Sequence, residues 1–503
     1  MDKFSFYLVT DTHYFDNSYK RSGEAYERRS RTDQKCVAET PAIIDAGFAQ
    51  LAKDKETDVI LIPGDLIYRG EYQSHVGFRE RLYKLKEQGK RIYLITARHD
   101  YDSGDSFEFE GDKMIPVKGM PREELREFYK DFGFDEAISE HKETMSYVIQ
   151  LTHGIRLLAL NCDGDLKDFK GLFDNQLEWA LNEVKKAHDS GNYIFAMTHF
   201  PLLPFSPIMN LVGDAHLTDW EKIATALADA GVDLIFTGHM HAQSVTEYKT
   251  ENGNTITDVQ TGCFVGCPCA YRKITFEDKN TVNIKSYTIN DFDYDKGGRT
   301  AQEYFKWRFD RMIEVKMHEI LPKPAMKAVD KLTVKKIGRL LCFKPDKSVE
   351  NRLAKDVGVE LVRNIFMGDE PYIKGTPMYE TMSKMLKRLH PITHIIEKKV
   401  KNINPILADL DTFILSMIGD ENQRDNTSMK NACSSCMFPY VWRNVYRKSF
   451  LINNNIKFFK GLNYGEDSIF GAEAFLKAKK VIFFDKKVIG SAVAAGVLLA
   501  ILG

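Results

Sequence analysis

Short apolar runs punctuate the first half of the chain: Phe4–Val9, Asp58–Ile62, Arg91–Thr96, Ile155–Asn161, Tyr193–Thr198 and Val232–Thr237. Each is of strand length and rich in β-branched or aromatic residues, which predicts buried strands. Amphipathic helical patterns fall between them, at Pro41–Lys53, His75–Gln88, Asp174–Ala187 and Asp219–Ala230. Such alternation predicts a largely parallel sheet flanked by helices. From Thr255 to Ile289 the pattern changes to short strands around the polar turn Glu277-Asp278-Lys279-Asn280. That predicts an antiparallel finish, hence a mixed sheet or a two-sheet sandwich with outer helices. Beyond residue 300 the period is helical, over Ala301–Ile320, Met326–Leu341, Val349–Met367 and Met378–Leu389, with many lysines and arginines. Basic helical faces meet membranes or nucleic acids in some proteins; more often they are the solvated sides of packed helices.

Two connections exceed the usual loop length. Phe15–Thr40 is polar and basic, with Arg21, Arg28, Arg29 and Arg31, and Tyr101–Met120 is acidic and contains glycine. Both follow strand ends, where α/β sheets hold their ligands, so they are expected to wall a substrate site. Solvated insertions are the plainer alternative.

Composition alters this picture little. With 503 residues, 43% hydrophobic and 28% charged, the chain is an ordinary globular one with room for more than one domain. A net charge of −1 gives no clear nucleic-acid signal. Eight cysteines, and a strand that starts directly after Met1-Asp2-Lys3, predict a cytoplasmic, reducing location without a targeting segment.

The chemistry gathers at the strand ends. They carry Asp11-Thr12-His13, then Gly64-Asp65 through Gly70, then Ala97-Arg98-His99-Asp100, then His199-Phe200-Pro201, then Gly238-His239-Met240-His241. Taken singly, each is a turn glycine, a capping Asp or a core His. Taken together, they put several His and Asp at the carboxyl edge of one sheet. That donor set suits a dinuclear centre, with ions roughly 3.5–4 Å apart, a bridging carboxylate and an open position for water. Asp65 is the natural bridge, and the glycines before Asp65 and His239 allow tight turns beside the ions.

The ordered series Asp-x-His, Gly-Asp, His-Asp, His-x-Pro and Gly-His-x-His resembles the calcineurin-like metallophosphoesterase family over about residues 1–290. The stretch from Gly171-Leu172-Phe173-Asp174 to Gln176-Leu177-Glu178-Trp179 resembles the family's segment before the helix that precedes a ligand His. The resemblance implies an α/β fold, the metallophosphoesterase αββα sandwich with mixed sheets, here followed by a mainly helical C-terminal region. It implies hydrolysis of a phosphate mono- or diester by a metal-activated water, with two divalent ions (Mn, Fe or Zn) as cofactors. It places Asp11, His13, Asp65 and His241 on one ion and Asp65, His199 and His239 on the other. His99 becomes the catalytic group that protonates the leaving oxygen or steadies the transition state.

One position departs from the family pattern. Arg98 stands where the family carries a ligand Asn, and a guanidinium has no acceptor atom. Three outcomes follow: a second ion held by fewer protein ligands, an Arg98 that reaches the substrate phosphate, or a mononuclear or retired centre. Arg69 occupies an Arg position seen in some branches and is a second phosphate candidate; a surface arginine in a turn is the plain alternative. A non-catalytic, membrane-associated scaffold with a degraded metal site is the rival reading of the whole.

The remaining features are weaker. The loop Pro201-Leu202-Leu203-Pro204-Phe205-Ser206-Pro207-Ile208-Met209 would wall the site or pack on its own domain as a lid. Cys263, Cys267 and Cys269 lack a suitably spaced His and are expected to be buried or free thiols. Cys433-Ser434-Ser435-Cys436 lacks the context of a redox motif. Residues of about 438–485 resemble the acceptor-side segment of family-2 glycosyltransferases without its donor half, which makes a fusion remnant or interaction module the sober reading. The uncharged Val488–Gly503 falls short of the ~20 residues that span a bilayer. It is expected to be a packed helix or a membrane contact. The expected organisation is a phosphoesterase domain over 1–295, a basic helical extension over 296–428, the glycosyltransferase-like fragment over 429–487 and the tail over 488–503. The expected partner is a phosphate-ester substrate.

Overall fold

A computed structural model describes residues 3–399, except 164–168, 206–213, 279–280, 321–329 and 369–374. The Cys433–Cys436 pair, the glycosyltransferase-like segment and the C-terminal apolar tail lie outside the described residues.

Two mixed sheets face each other. In the first, β1 (Phe4–Leu8), β2 (Val59–Pro63) and β3 (Arg91–Ile95) run parallel. This sheet continues on its other side through β13 (Ala270–Phe276), antiparallel to β1, and β14 (Val282–Thr288). The second has the order β11-β12-β10-β9-β8-β7-β6. Its parallel centre is β8 (Ile155–Leu160), β9 (Tyr193–Thr198), β10 (Leu234–Thr237) and β12 (Thr255–Gln260). Antiparallel edges are β11 (Ser244–Lys249) on one side, and β7 (Ser146–Thr152) with β6 (Ser139–His141) on the other.

The period-2 alternation of strand side chains explains the layers. Along β9, Phe195 and Met197 point into the core shared with the first sheet, while Ile194 and Ala196 join the core under α5 (Asp174–Asp189) and α6 (Trp220–Asp229). Between the sheets, Phe6 stacks on Phe195 at 5.3 Å and meets Phe236 edge-on at 5.3 Å. On the other side of the first sheet, α2 (Thr40–Lys53) and α3 (Tyr72–Glu87) bury Ile43, Ile44, Phe48, Phe78 and Leu82 in the same core. The result is the expected αββα layering. The carboxyl edge expected of one sheet is instead divided between two, because β8, β9 and β10 pair with one another and not with β3. Strands β6, β7 and β11 were not legible, since their polar residues interrupt any continuous apolar run. The expected antiparallel finish holds for β13 and β14, whereas β12 lies parallel to β10.

The two long connections are not structureless. The first contains α1 (Glu24–Thr32), and the second folds into the hairpin β4 (Phe107–Glu110) and β5 (Lys113–Pro116). They pack on each other: Phe15, Val37, Tyr68, Phe107 and Phe109 form a small apolar cluster, and Lys20 Nζ meets Glu110 at 3.0 Å. Gly23 is required there, since a Cβ would fall 2.3 Å from the carbonyl oxygen of Gly111.

Helix α7 (Ala301–Ile320) holds this insertion from outside. Its Phe305, Phe309 and Met312 enter the main core. Its Arg308 donates to the carbonyl oxygens of Ser30 (2.6 Å) and Lys35 (3.3 Å), and Tyr304 donates to Glu39 at 2.5 Å. The next helices are Val334–Leu340, Ala354–Met367 and Pro377–Lys399. Turns at 330–331 and 347–351 precede the first two, which begin later than the period suggested. Among the described residues no helix is long and apolar enough to cross a membrane.

Glu71, immediately before α3, is a buried carboxyl whose Oε2 accepts the Arg69 backbone N–H at 3.0 Å and whose Oε1 is unpartnered. Burial pushes its pKa up to about 8. The folded state therefore keeps a proton that the unfolded chain releases near its ordinary value. The stabilisation is full below about pH 4.5 and is lost as pH rises through about 8. Glu71→Gln is expected to flatten that decline, read as urea-unfolding midpoints between pH 5 and 8.5.

Candidate metal centre

Asp11, His13 and Asp65 emerge from β1 and β2, and His199, His239 and His241 from β9 and β10. The facing sheets bring the six together. His199 Nε2 lies 3.2 Å from Asp65 Oδ2, and His13 Nε2 lies 3.6 Å from both Asp65 Oδ2 and Asp11 Oδ1. His241 Nε2 is 3.3 Å from Asp11 Oδ1 and 3.0 Å from His13 Nε2. The donor atoms of Asp11, His13 and Asp65 form one compact group, and those of Asp65, His199 and His239 a second that shares Asp65.

The backbone is bent to this purpose. Asp11, His13, Asp65, His239 and His241 all take positive φ, between 37° and 69°, a region that residues with a Cβ seldom occupy. Gly238 admits a close approach, because a Cβ there would lie 2.1 Å from Thr10 Oγ1 and 2.5 Å from Asp11 Oδ2.

Neighbouring groups aim the ligands. His199 Nδ1 donates to the Pro63 carbonyl (2.8 Å), which turns Nε2 toward Asp65. His241 Nδ1 donates to Gln34 Oε1 (3.0 Å), and His239 Nε2 to the Asp214 carbonyl (2.6 Å). Such outer partners orient ring ligands in metal sites. Asp11 Oδ2 accepts from Thr10 Oγ1 (2.7 Å) and the His239 N–H (2.9 Å). Asp11 Oδ1 and His199 Nε2 are buried without a well-formed hydrogen bond, and each meets other members of the cluster at 3.2–3.6 Å. Buried donor atoms that meet only loosely in this way fit divalent cations.

Electrostatics agree with that fit. Burial resists ionisation of both carboxylates, yet His241 and His13 hold Asp11, and His199 and His99 hold Asp65, well below the usual carboxylate range. Burial, then Lys35, lowers His13 to about 4; burial, then His199 and Arg98, lowers His239 to about 3. Ionised carboxylates and neutral imidazoles are the states that bind metal. His199 differs: against its burial, Asp65 raises it to about 9, so a cation seated there would release its proton. Cys263 stands beside His13 and His241, but burial pushes its thiol pKa up and it donates to the Asp11 carbonyl at 3.1 Å. The described cysteines are free thiols, and Cys263, Cys267 and Cys269 are buried.

His99 is half-buried next to this group, its ring 5.2 Å from that of His13 and its backbone N–H 3.4 Å from Asp65 Oδ1. Both arginines have a carboxylate partner. Arg98 pairs with Asp214 Oδ2 at 2.5 Å, and Lys170 takes the other oxygen of that carboxylate at 2.6 Å. Arg69 pairs with Asp105 at 2.5 Å. Each guanidinium places one nitrogen on a carboxylate brought up by a neighbouring loop.

Residues 4–243 match the family model described as calcineurin-like phosphoesterase. They form a calcineurin-like phosphoesterase domain. No curated protein matches the chain. Among solved structures, a dimetal phosphatase from Danio rerio shares 12% identity, over 57% of this chain and 99% of its own, with a TM-score of 0.39. Purple acid phosphatase PPD1 from yellow lupin (Lupinus luteus) seeds shares 13%, over 57% and 52%, with a TM-score of 0.40. The NAD nucleotidase NadN of Haemophilus influenzae shares 13%, over 72% and 60%, with a TM-score of 0.34.

The phosphoesterase domain also contains polar groups beside the centre that no motif marks. Gln34 and Lys35 come from the basic connection in which only arginines stand out. Asp163 follows β8, a strand end whose Asn161-Cys162-Asp163 fits no metal pattern. It lies buried 3.5 Å from Arg122, and burial raises its pKa to about 7.

Proposed function

We propose that the protein is a metal-dependent phosphoesterase that hydrolyses a phosphate mono- or diester. The observation that carries this reading is the pair of donor groups sharing Asp65, with buried atoms on Asp11 and His199 that lack a well-formed hydrogen bond. Asp11, His13, Asp65 and His241 would hold one divalent ion, and Asp65, His199 and His239 a second. Such ions supply an activated water and neutralise phosphoryl charge when bound. The chain's own contribution is orientation: Pro63, Gln34 and the Asp214 carbonyl fix three imidazoles, and Gly64 and Gly238 let the backbone approach.

His99 acts here as a neutral hydrogen-bond donor to the leaving oxygen. Burial, then Lys35, holds its pKa well below the usual imidazole value, which disfavours an imidazolium acid. Arg98 is a positioning residue. It fixes Asp214, whose carbonyl in turn accepts from His239. In the place of the family Asn it adds no ligand, so the second ion is expected to bind more weakly than the first. Arg98→Asn is expected to tighten that site while loosening the Asp214 loop. Metal titration followed by calorimetry reads the first effect, and proteolysis rate the second.

The test is direct. The purified chain is assayed for bound metal and for hydrolysis of aryl phosphate mono- and diesters with Mn²⁺, Fe²⁺ or Zn²⁺. Metal-dependent turnover supports the reading. Less than one tightly bound ion per chain and no turnover on either ester would favour the scaffold alternative.

A further inference from the structure

Cys263 lies just past β12, and two hydrogen bonds dock its segment against the end of β1. The next residue, Phe264, donates its N–H to the Thr10 carbonyl at 3.0 Å, and the Cys263 thiol donates to the Asp11 carbonyl at 3.1 Å. The Thr261 N–H donates to the Thr237 carbonyl at 2.9 Å, which ties the same segment to the end of β10. Gly266 gives the thiol its space, because a Cβ there would stand 3.2 Å from Sγ. The Cys263 side chain is fully buried.

The thiol meets a pair of imidazoles. The donor atoms of Cys263, His13 and His241 all lie within 4.8 Å of one another. Each ring has its Nδ1 occupied: that of His13 faces the Ile67 carbonyl at 3.4 Å, and that of His241 faces Gln34 Oε1 at 3.0 Å. Such oxygens only accept, so both Nδ1 atoms carry the proton. Both Nε2 atoms then present lone pairs, and they stand 3.0 Å from each other. Two lone pairs facing at that distance repel, and a shared cation relieves the repulsion. Asp11 Oδ1 joins them, 3.3 Å from His241 Nε2 and 3.6 Å from His13 Nε2. Sulfur, two nitrogens and a carboxylate oxygen therefore gather where the ends of β1, β10 and β12 meet.

We infer that Cys263 is a further ligand of the first ion and makes that site selective for a thiophilic cation, Zn²⁺ over Mn²⁺. The inference deepens the metal-centre reading and rests on it. A thiolate is a soft ligand that suits zinc, whereas manganese favours oxygen donors. Zinc holds nitrogen at about 2.0–2.1 Å and sulfur at about 2.3 Å, so these separations close with small side-chain shifts. As the zinc–sulfur bond forms, the S–H bond breaks and the proton leaves to solvent. The hydrogen bond to the Asp11 carbonyl is given up, and nothing is oxidised or reduced. Spacing along the sequence hides this ligand, because its imidazole partners come from other strand ends.

The test uses the full chain, stripped of metal with a chelator and reloaded. With Co²⁺ as the probe, the wild type is expected to show a sulfur-to-cobalt charge-transfer band in the near ultraviolet. Cys263→Ser should lose that band, and the control Cys267→Ser should keep it. With Zn²⁺, X-ray absorption should find a sulfur at about 2.3 Å. Competition titrations should show Cys263→Ser binding Zn²⁺ about 100-fold more weakly, the upper end of the loss for a group behind the ligands. Mn²⁺ affinity should change by less than about fivefold, since a hard cation gains little from sulfur. Cys263→Ala replaces the serine variant if that one folds poorly, and the wild-type spectrum stands without either. Cobalt bound without the band, a band that survives in the Cys263 variants, or equal losses for Zn²⁺ and Mn²⁺ overturns the role of Cys263 and leaves the metal centre standing. A wild-type chain that binds neither Co²⁺ nor Zn²⁺ overturns both.

Discussion

Asp65→Asn is expected to remove most of the metal and almost all turnover. Asparagine is the informative substitution. It keeps the side-chain volume and tolerates the left-handed backbone that Asp65 adopts at φ 51°, so the fold is spared and only the bridging charge is lost. Changes to groups behind the ligands cost 10–100-fold in affinity or activity. Loss of a carboxylate shared by both donor groups should exceed that range, so kcat/KM is expected to fall by more than ~100-fold. Bound metal is read by elemental analysis and turnover by ester hydrolysis. A separate readout needs no metal. Asp65 holds the His199 pKa near 9 against the cost of burial, so in the asparagine variant that imidazole should titrate lower, as NMR can follow. Full activity in the variant would sink the metal assignment.

Gly238→Ala is expected to be the most damaging small change to stability. The new methyl would sit 2.1 Å from Thr10 Oγ1 and 2.5 Å from Asp11 Oδ2. Neither atom can yield cheaply, because the two are hydrogen-bonded to each other at 2.7 Å and Asp11 also holds the His239 N–H at 2.9 Å. Overpacking usually costs 1–3 kcal/mol, and this site should reach about 3 kcal/mol. Thermal or urea unfolding of the metal-free chain measures it. Gly358→Ala is the control: it lies in the helix Ala354–Met367, and a Cβ there meets nothing within 4 Å. It should be neutral or stabilise by up to ~1 kcal/mol. Equal effects of the two substitutions would show that the contact at Gly238 relaxes without cost.

The candidate ligands were legible because they lie close to strand ends, and strand ends follow from local hydrophobic runs. The run Tyr193–Thr198 became β9 residue for residue, and His199 follows it at once. Pattern also located α2, α3, α5 and α6, whose apolar stripes face the sheets. It did not reveal β7, where Ser146, Gln150 and Thr152 break the apolar run although the strand is largely buried. Nor did it reveal α1 or the β4–β5 hairpin. Those insertions are stabilised chiefly by each other, through Phe15, Phe107 and Phe109, and by Arg308 far along the chain.

Sequence alone singled out the candidate donor set: Asp11, His13, Asp65, His199, His239 and His241, together with the glycines that make room for them. It did so because each motif is a local turn chemistry attached to a local strand. Only the tertiary structure decided how the donors meet. They converge across two facing sheets and not along one edge, since strand pairing depends on contacts between distant segments. The same long-range packing turned Arg98 and Arg69 toward Asp214 and Asp105. Charge partners on separate loops are chosen by the fold, and no local pattern records that choice.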